Sequence, residues 1–226
     1  KATLVNGRVR FSQSRFFSSP ISAKKFKNRT KWEMPINFKQ NKVNFGETGF
    51  FRTAYSKELL EKLRAPIQNK KLSARDRLGV IRDLFALSEA GIVPTTDALE
   101  FLSAYKHEDD YTVWVEIATG LARLEQLVAK SNINLNNLII ELFTPIFKKL
   151  GWTKKENESH TDALLRSLVI SRLGRSGEEN VVKEARKKFL KNSRKWLVLN
   201  IFLKTERSLI LKKNIKTTRR LIRQFK

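Results

Sequence analysis

The sequence predicts a mainly α-helical fold preceded by a short segment of edge-type strands, and three observations carry that prediction. From Ser56 to Phe189 apolar residues recur at three- and four-residue intervals, the spacing that gathers them on one helix face. Helix-start signals recur ahead of these runs, with Ser73, Ser159 and Ser176 each standing three residues before an acid. Before Ser56 the pattern differs, with short β-favouring runs set between turn formers.

In chain order, Ala2-Thr-Leu-Val5, Arg8-Val-Arg-Phe11 and Met34-Pro-Ile-Asn-Phe38 read as strands. Ser56 opens the first long helix, with Leu59, Leu60 and Leu63 on its apolar face and Pro66 as its stop. The Ser73 hydroxyl is spaced to accept an orphan N–H of the next helix, with Asp76 favouring its positive end. Leu78, Ile81, Leu84, Phe85 and Leu87 mark that helix up to Gly91. Pro94-Thr-Thr-Asp97 opens a helix through Leu99, Phe101, Leu102 and Tyr105. Asp109 and Asp110 begin one carrying Val113, Trp114, Ile117, Leu121, Leu124 and Leu127.

Asn134 or Asn136 caps a fifth run from Leu138 to Leu150, with a kink expected at Pro145 and Gly151 ending it in the left-handed region. Two further capping boxes, Ser159 with Asp162 and Ser176 with Glu179, start helices containing Leu165 and Val181. Short connections between helices of similar length imply antiparallel pairs stacked into a superhelix of the armadillo or HEAT kind, although no strict sequence period is present. Beyond Phe189 the residues Leu209, Ile210, Lys213, Ile215, Leu221 and Ile222 are only loosely periodic.

Composition restricts function. The 226 residues bury one sizeable core or two small ones, and no apolar run approaches the ~18 residues that span a bilayer. With no cysteine, disulfides, thiolate catalysis and cysteine-rich zinc sites are excluded, and the cytoplasm is the default compartment. The first twenty residues have the Arg, Ser and Phe content of a transit peptide, yet the chain opens on Lys, which a cut fragment explains better. The net charge of +24 is concentrated at the ends: +10 over residues 1–44, +11 over 189–226 and only +3 between them. A near-neutral centre with two basic flanks is not the footprint of a nucleic-acid groove through a fold, so RNA or anionic-membrane binding is expected of the basic ends or not at all.

Several segments occur together in order: Lys42-Val-Asn-Phe-Gly-Glu-Thr-Gly-Phe-Phe-Arg52, Ser73-Ala-Arg-Asp-Arg-Leu-Gly79, Asp83-Leu-Phe-Ala-Leu87, Tyr105-Lys-His-Glu-Asp-Asp-Tyr-Thr-Val-Trp114 and Glu158-Ser-His-Thr-Asp-Ala-Leu-Leu-Arg166. With these the chain resembles, over roughly residues 42–190, the C-terminal region of the zinc aminopeptidases, a family that includes the puromycin-sensitive, endoplasmic-reticulum and membrane alanyl enzymes. The resemblance implies a domain order of 1–55 as an incomplete β-sandwich segment, 56–190 as the helical C-terminal domain and 191–226 as a basic tail of doubtful family origin. Only about a dozen residues separate Trp32-Glu-Met-Pro35 from Gly49-Phe-Phe-Arg52, so the sandwich is expected to lack strands and to expose edges that invite association.

The resemblance also implies that zinc and its acid/base residues belong to an upstream catalytic domain. No H-E-x-x-H helix occurs in this chain, whose only histidines are His107 and His160. No cofactor, metal ligand or catalytic residue is therefore assigned here; the implied partners are the catalytic domain and, through it, a peptide substrate. A stand-alone helical scaffold for peptides or proteins is the alternative.

Tyr105, Lys106 and His107 at a helix end, together with Arg166, are the candidate peptide-binding residues, the cations being suited to a peptide's C-terminal carboxylate. The simpler reading has Lys106 and His107 answering the helix dipole and Glu108, and Arg166 and Arg172 pairing with acids such as Asp162 and Glu178. His160 reads as a helix-start residue, and Trp114 and Trp152 as core.

Overall fold

The computed structural model describes residues 1–25, 31–128 and 134–191. The chain is mainly α-helical with two small antiparallel sheets near its N-terminus, and it divides into two compact units, Lys1–Ile133 and Asn134–Lys226.

In the first unit, strands β1 (Ala2–Val5) and β2 (Arg8–Phe11) form a hairpin with the bounds the sequence predicts. Their two-residue turn is Asn6-Gly7, with φ of 48° and 73°; two positive φ angles make the tight turn whose twist matches that of the strands. The third predicted strand survives only at its end, because β3 (Phe38–Lys39) pairs with β4 (Lys42–Val43) while 31–37 runs without regular structure. A short helix α1 (Pro20–Lys25) lies between the two hairpins. Ala2 is the link onward: its N–H donates to Ala54 O and its carbonyl accepts from Ser56 N, both at 2.8 Å.

Helix α2 (Lys57–Gln68) buries Leu59, Leu60, Leu63 and Ile67. Pro66 does not stop it. Proline there removes a single donor in the last turn, and the helix closes two residues later, where Asn69 N–H bonds Ala65 O and Lys70 takes a positive φ. Helix α3 (Ala74–Glu89) starts as predicted, with Ser73 Oγ accepting from Asp76 N at 3.1 Å. Helix α4 (Thr95–Phe101) follows Pro94 and tightens into a 3₁₀ turn, Leu102–Tyr105. Helix α5 (Tyr111–Val128) is capped by Asp110, whose carboxylate accepts from Thr112 N. Val113, Trp114, Ile117, Leu121 and Leu124 are buried, and Gly120 lets α5 approach α3 so closely that a β-carbon there would overlap the Phe85 ring.

In the second unit, α6 (Asn136–Leu150), α7 (His160–Arg175) and α8 (Glu179–Lys191) pack in sequence, α6 on α7 and α7 on α8. Asn134, not Asn136, supplies the side-chain start of α6 by accepting from Asn136 N. Gly151 ends it at φ 66° and ψ −165°, outside the left-handed helical well that was expected but still in a region open to glycine. The box between Ser159 and Asp162 forms in both directions. The third expected box does not. Ser176 belongs to the C-terminal cap of α7, and Glu178 caps α8 through its carboxylate to Val181 N at 2.6 Å. The expected tail, 191–226, and its loose periodicity fall beyond the described residues save for Lys191.

Candidate functional site

The turn at residues 44–49 seats the N-terminal segment on α3. Asn44 folds its amide over the turn, accepting from Gly49 N at 2.7 Å and donating to Gly49 O at 2.9 Å. Gly46 N donates to Asp76 Oδ1 at 2.6 Å, so Asp76 serves the Ser73 cap and the turn together. Glu47 is the centre: Lys42 Nζ, itself buried and bonded to Val43 O, reaches one carboxylate oxygen, and Arg82 of α3 reaches the other. Next to Arg82 on α3, Asp83 accepts from Thr53 N at 2.7 Å and pairs with Arg52 at 3.2 Å. Burial pushes the Asp83 carboxyl up to about 6, against the Thr53 N–H and Arg52, which hold it down. Burial also raises the Tyr55 phenol, whose hydroxyl is enclosed between Val43 N and O.

Above this seat lies the segment that carries three of the sequence-predicted residues. Tyr105 is fully buried and its hydroxyl donates to Arg77 O at 2.7 Å; burial raises its pKa well above the usual phenol value. Lys106 and His107 are exposed at the end of the 3₁₀ turn. The neighbouring Glu108 turns inward to a buried fork: Arg77 Nε to Oε2 at 2.6 Å and Nη2 to Oε1 at 2.8 Å. The same carboxylate accepts from Asp109 N and Asp110 N, which holds the start of α5. Burial works against the Arg77 charge, and the Glu108 carboxylate with Asp109 and Asp110 outweighs it, raising the guanidinium pKa.

Arg166 lies in the second unit, buried on α7. It pairs with Glu158 and bonds Leu150 O, not Asp162, because Asp162 is committed to the Ser159 cap. That hydrogen bond holds the Glu158 carboxyl below its ordinary range. His160 is the first residue of α7, as its sequence position suggests.

The half-buried Glu47 and the buried Asp83 and Glu108 organise the first unit, yet none stood out in the sequence as more than a surface charge. Their partners Arg82, Thr53 and Arg77 lie about thirty residues away in sequence, beyond the reach of any local pattern. The one sequence signal is that Glu47, Asp83 and Glu108 all fall inside the recognised segments.

Compared with known protein families, residues 41–205 match the ERAP1-like C-terminal domain. The chain belongs to this family. Its relatives include aminopeptidase M1-A of Oryza sativa subsp. japonica, 37% identical over 152 residues, which are 66% of this chain and 17% of that protein. Aminopeptidase M1-B of the same plant is 33% identical over 174 residues, 75% of this chain and 19% of the relative. Puromycin-sensitive aminopeptidase of Caenorhabditis elegans is 30% identical over 145 residues, 62% of this chain and 15% of the relative. The chain thus spans less than a fifth of the length of these M1 aminopeptidases.

His107 and His160 fall in separate units, and among the described residues no group of three or more His, Cys, Asp or Glu is placed to hold a metal ion. Nor is any helix among them long and apolar enough to cross a membrane.

Proposed function

We propose that this chain is the non-catalytic, helical C-terminal portion of a zinc aminopeptidase that removes N-terminal residues from peptides, and that it helps enclose the active site and bind the substrate. The observation that carries the proposal is the match of residues 41–205 to the ERAP1-like C-terminal domain, supported by similarity to relatives named as aminopeptidases. The proposed partner is the zinc catalytic domain; the proposed setting is the cytoplasm, with which a cysteine-free chain is compatible.

Within this reading Lys106 and His107 are the side chains that would meet a peptide carboxylate, because both are exposed and carry N–H donors. Tyr105 would act from behind, its hydroxyl fixing the turn to α3, and Arg166 would hold the corresponding entrance to α7 through Glu158. The proposed domain order is a partial β-sandwich segment over 1–55, the helical C-terminal domain over 56–190 and a basic tail over 191–226.

The test is complementation. Adding the chain to a separately expressed zinc domain of a related aminopeptidase should raise cleavage of peptides several residues long more than cleavage of an aminoacyl-arylamide, since only a peptide reaches an enclosing domain. Saturating amounts of chain that leave both rates unchanged would contradict the proposal.

A further inference from the structure

The outer edge of β2 is unpaired among the described residues, and its side chains select what can pair with it. In the hairpin Ser12 N–H donates to Lys1 O at 3.0 Å, and the register opposes Ala2 to Phe11, Thr3 to Arg10 and Val5 to Arg8. Counting from that bonded pair, Arg8 and Arg10 spend their backbone groups on β1, while Val9 and Phe11 turn their N–H and C=O groups outward. On β1 the equivalent outward groups of Ala2 are used by Ala54 and Ser56; on β2 no described residue takes those of Val9 or Phe11.

The two faces of that edge differ in chemistry. Val9 and Phe11 lie on the side of Ala2, where Phe11 borders an apolar groove of about 660 Å³ that also takes in Phe16, Trp32, Ile36 and Phe50. The charged residues lining the groove are Lys1, Arg15 and Arg52, with no acid among the lining residues. The opposite face of the strand presents exposed Arg8 and Arg10, and residues 1–25 contain no Asp or Glu at all.

We infer that the β2 edge is a docking site for an extended acidic segment of another polypeptide, one that alternates carboxylate and apolar side chains and adds as a third strand. Its main chain would satisfy Val9 and Phe11, its carboxylates would stand opposite Arg8 and Arg10, and its apolar side chains would meet the groove side. A second copy of this chain does not suit the edge. Antiparallel pairing of β2 with itself in any register that keeps the apolar faces together sets arginine against arginine, and like charges directly opposite are unfavourable.

The experiment titrates the full chain with two capped octapeptides, one alternating Glu and Val and one alternating Lys and Val, and reads the amide resonances and hydrogen exchange of Val9 and Phe11. The Glu peptide should slow exchange at these two amides and leave Thr3 and Arg10, already bonded across the hairpin, unchanged. The Lys peptide should bind at least roughly tenfold more weakly. The double variant R8E/R10E should reverse the preference, with intact Ala54 and Ser56 signals showing that the hairpin still docks. Equal binding of both peptides, no protection at Val9 and Phe11 by the Glu peptide, or protection of those amides by concentration-dependent dimerisation without peptide would each overturn the inference.

Discussion

The Glu47 carboxylate occupies the space that a β-carbon at position 79 would need, so the contact between Glu47 and Gly79 is where the 45–47 turn meets α3. In an ordinary helix interior, Gly to Ala gains about 1 kcal/mol. Here Gly79→Ala should instead destabilise by roughly 1–3 kcal/mol, because moving the carboxylate leaves the buried Lys42 ammonium without its partner. In an E47A background the obstruction is gone, and the same substitution should become neutral or stabilising. Urea unfolding of the four proteins measures this; equal effects of Gly79→Ala in both backgrounds would show that the contact has no energetic content.

The fork between Arg77 and Glu108 is buried on both sides. Removing one partner strands the other charge, so Arg77→Met should cost about 3–5 kcal/mol. Glu108 also holds two N–H groups at the start of α5, so Glu108→Leu should cost a comparable amount. Arg77→Lys keeps the charge but loses the two-point geometry and the bond to Leu72 O, and should fall between wild type and Arg77→Met. Denaturation midpoints order the three.

Asp83 gives the first unit a pH signature. Its folded pKa of about 6 lies above its ordinary value, so the folded state holds this proton more tightly than the unfolded chain does. The contribution is complete below pH 4 and is lost as pH rises through 6. Relative to Asp83→Asn, the wild type should therefore gain on the order of 2–3 kcal/mol between pH 7 and pH 4. Burial and the Thr53 N–H contribute most to the midpoint, and Glu47, Arg52 and Lys42, which face the same carboxyl, adjust it. A stability difference between the two proteins that is flat across this range would remove Asp83 as the source.

The two capping serines in the second unit should behave differently. Ser159→Ala removes an acceptor for Asp162 N and should cost about 1 kcal/mol. Among the described residues no partner takes the buried Ser176 Oγ, so Ser176→Ala should be neutral or slightly stabilising. Glu178→Ala should carry the cost expected of a cap, since Glu178 accepts from Val181 N. Thermal unfolding of the three variants distinguishes them.

Legibility in the sequence followed the range of the interaction. The hairpin Ala2–Val5 and Arg8–Phe11 and the caps at Ser73 and Ser159 rest on contacts within a few residues, and all appear where the pattern places them. Ser176 misled because two acids follow it: the nearer, Glu178, reaches Val181 N while Ser176 is still completing α7. Pro66 misled because a proline in the final turn of a helix costs one donor and nothing downstream. Tyr105 and Arg166 read as reachable side chains, yet burial commits both to their own framework; no local pattern reports burial created by a neighbouring helix.

The most direct measurement is hydrolysis of aminoacyl-arylamides and short peptides by the purified full chain, with added zinc and with chelator. The account predicts no turnover above blank in either condition, because it assigns the chemistry to the proposed zinc catalytic domain and none to these residues. Zinc-dependent, chelator-sensitive hydrolysis by the chain alone would contradict it.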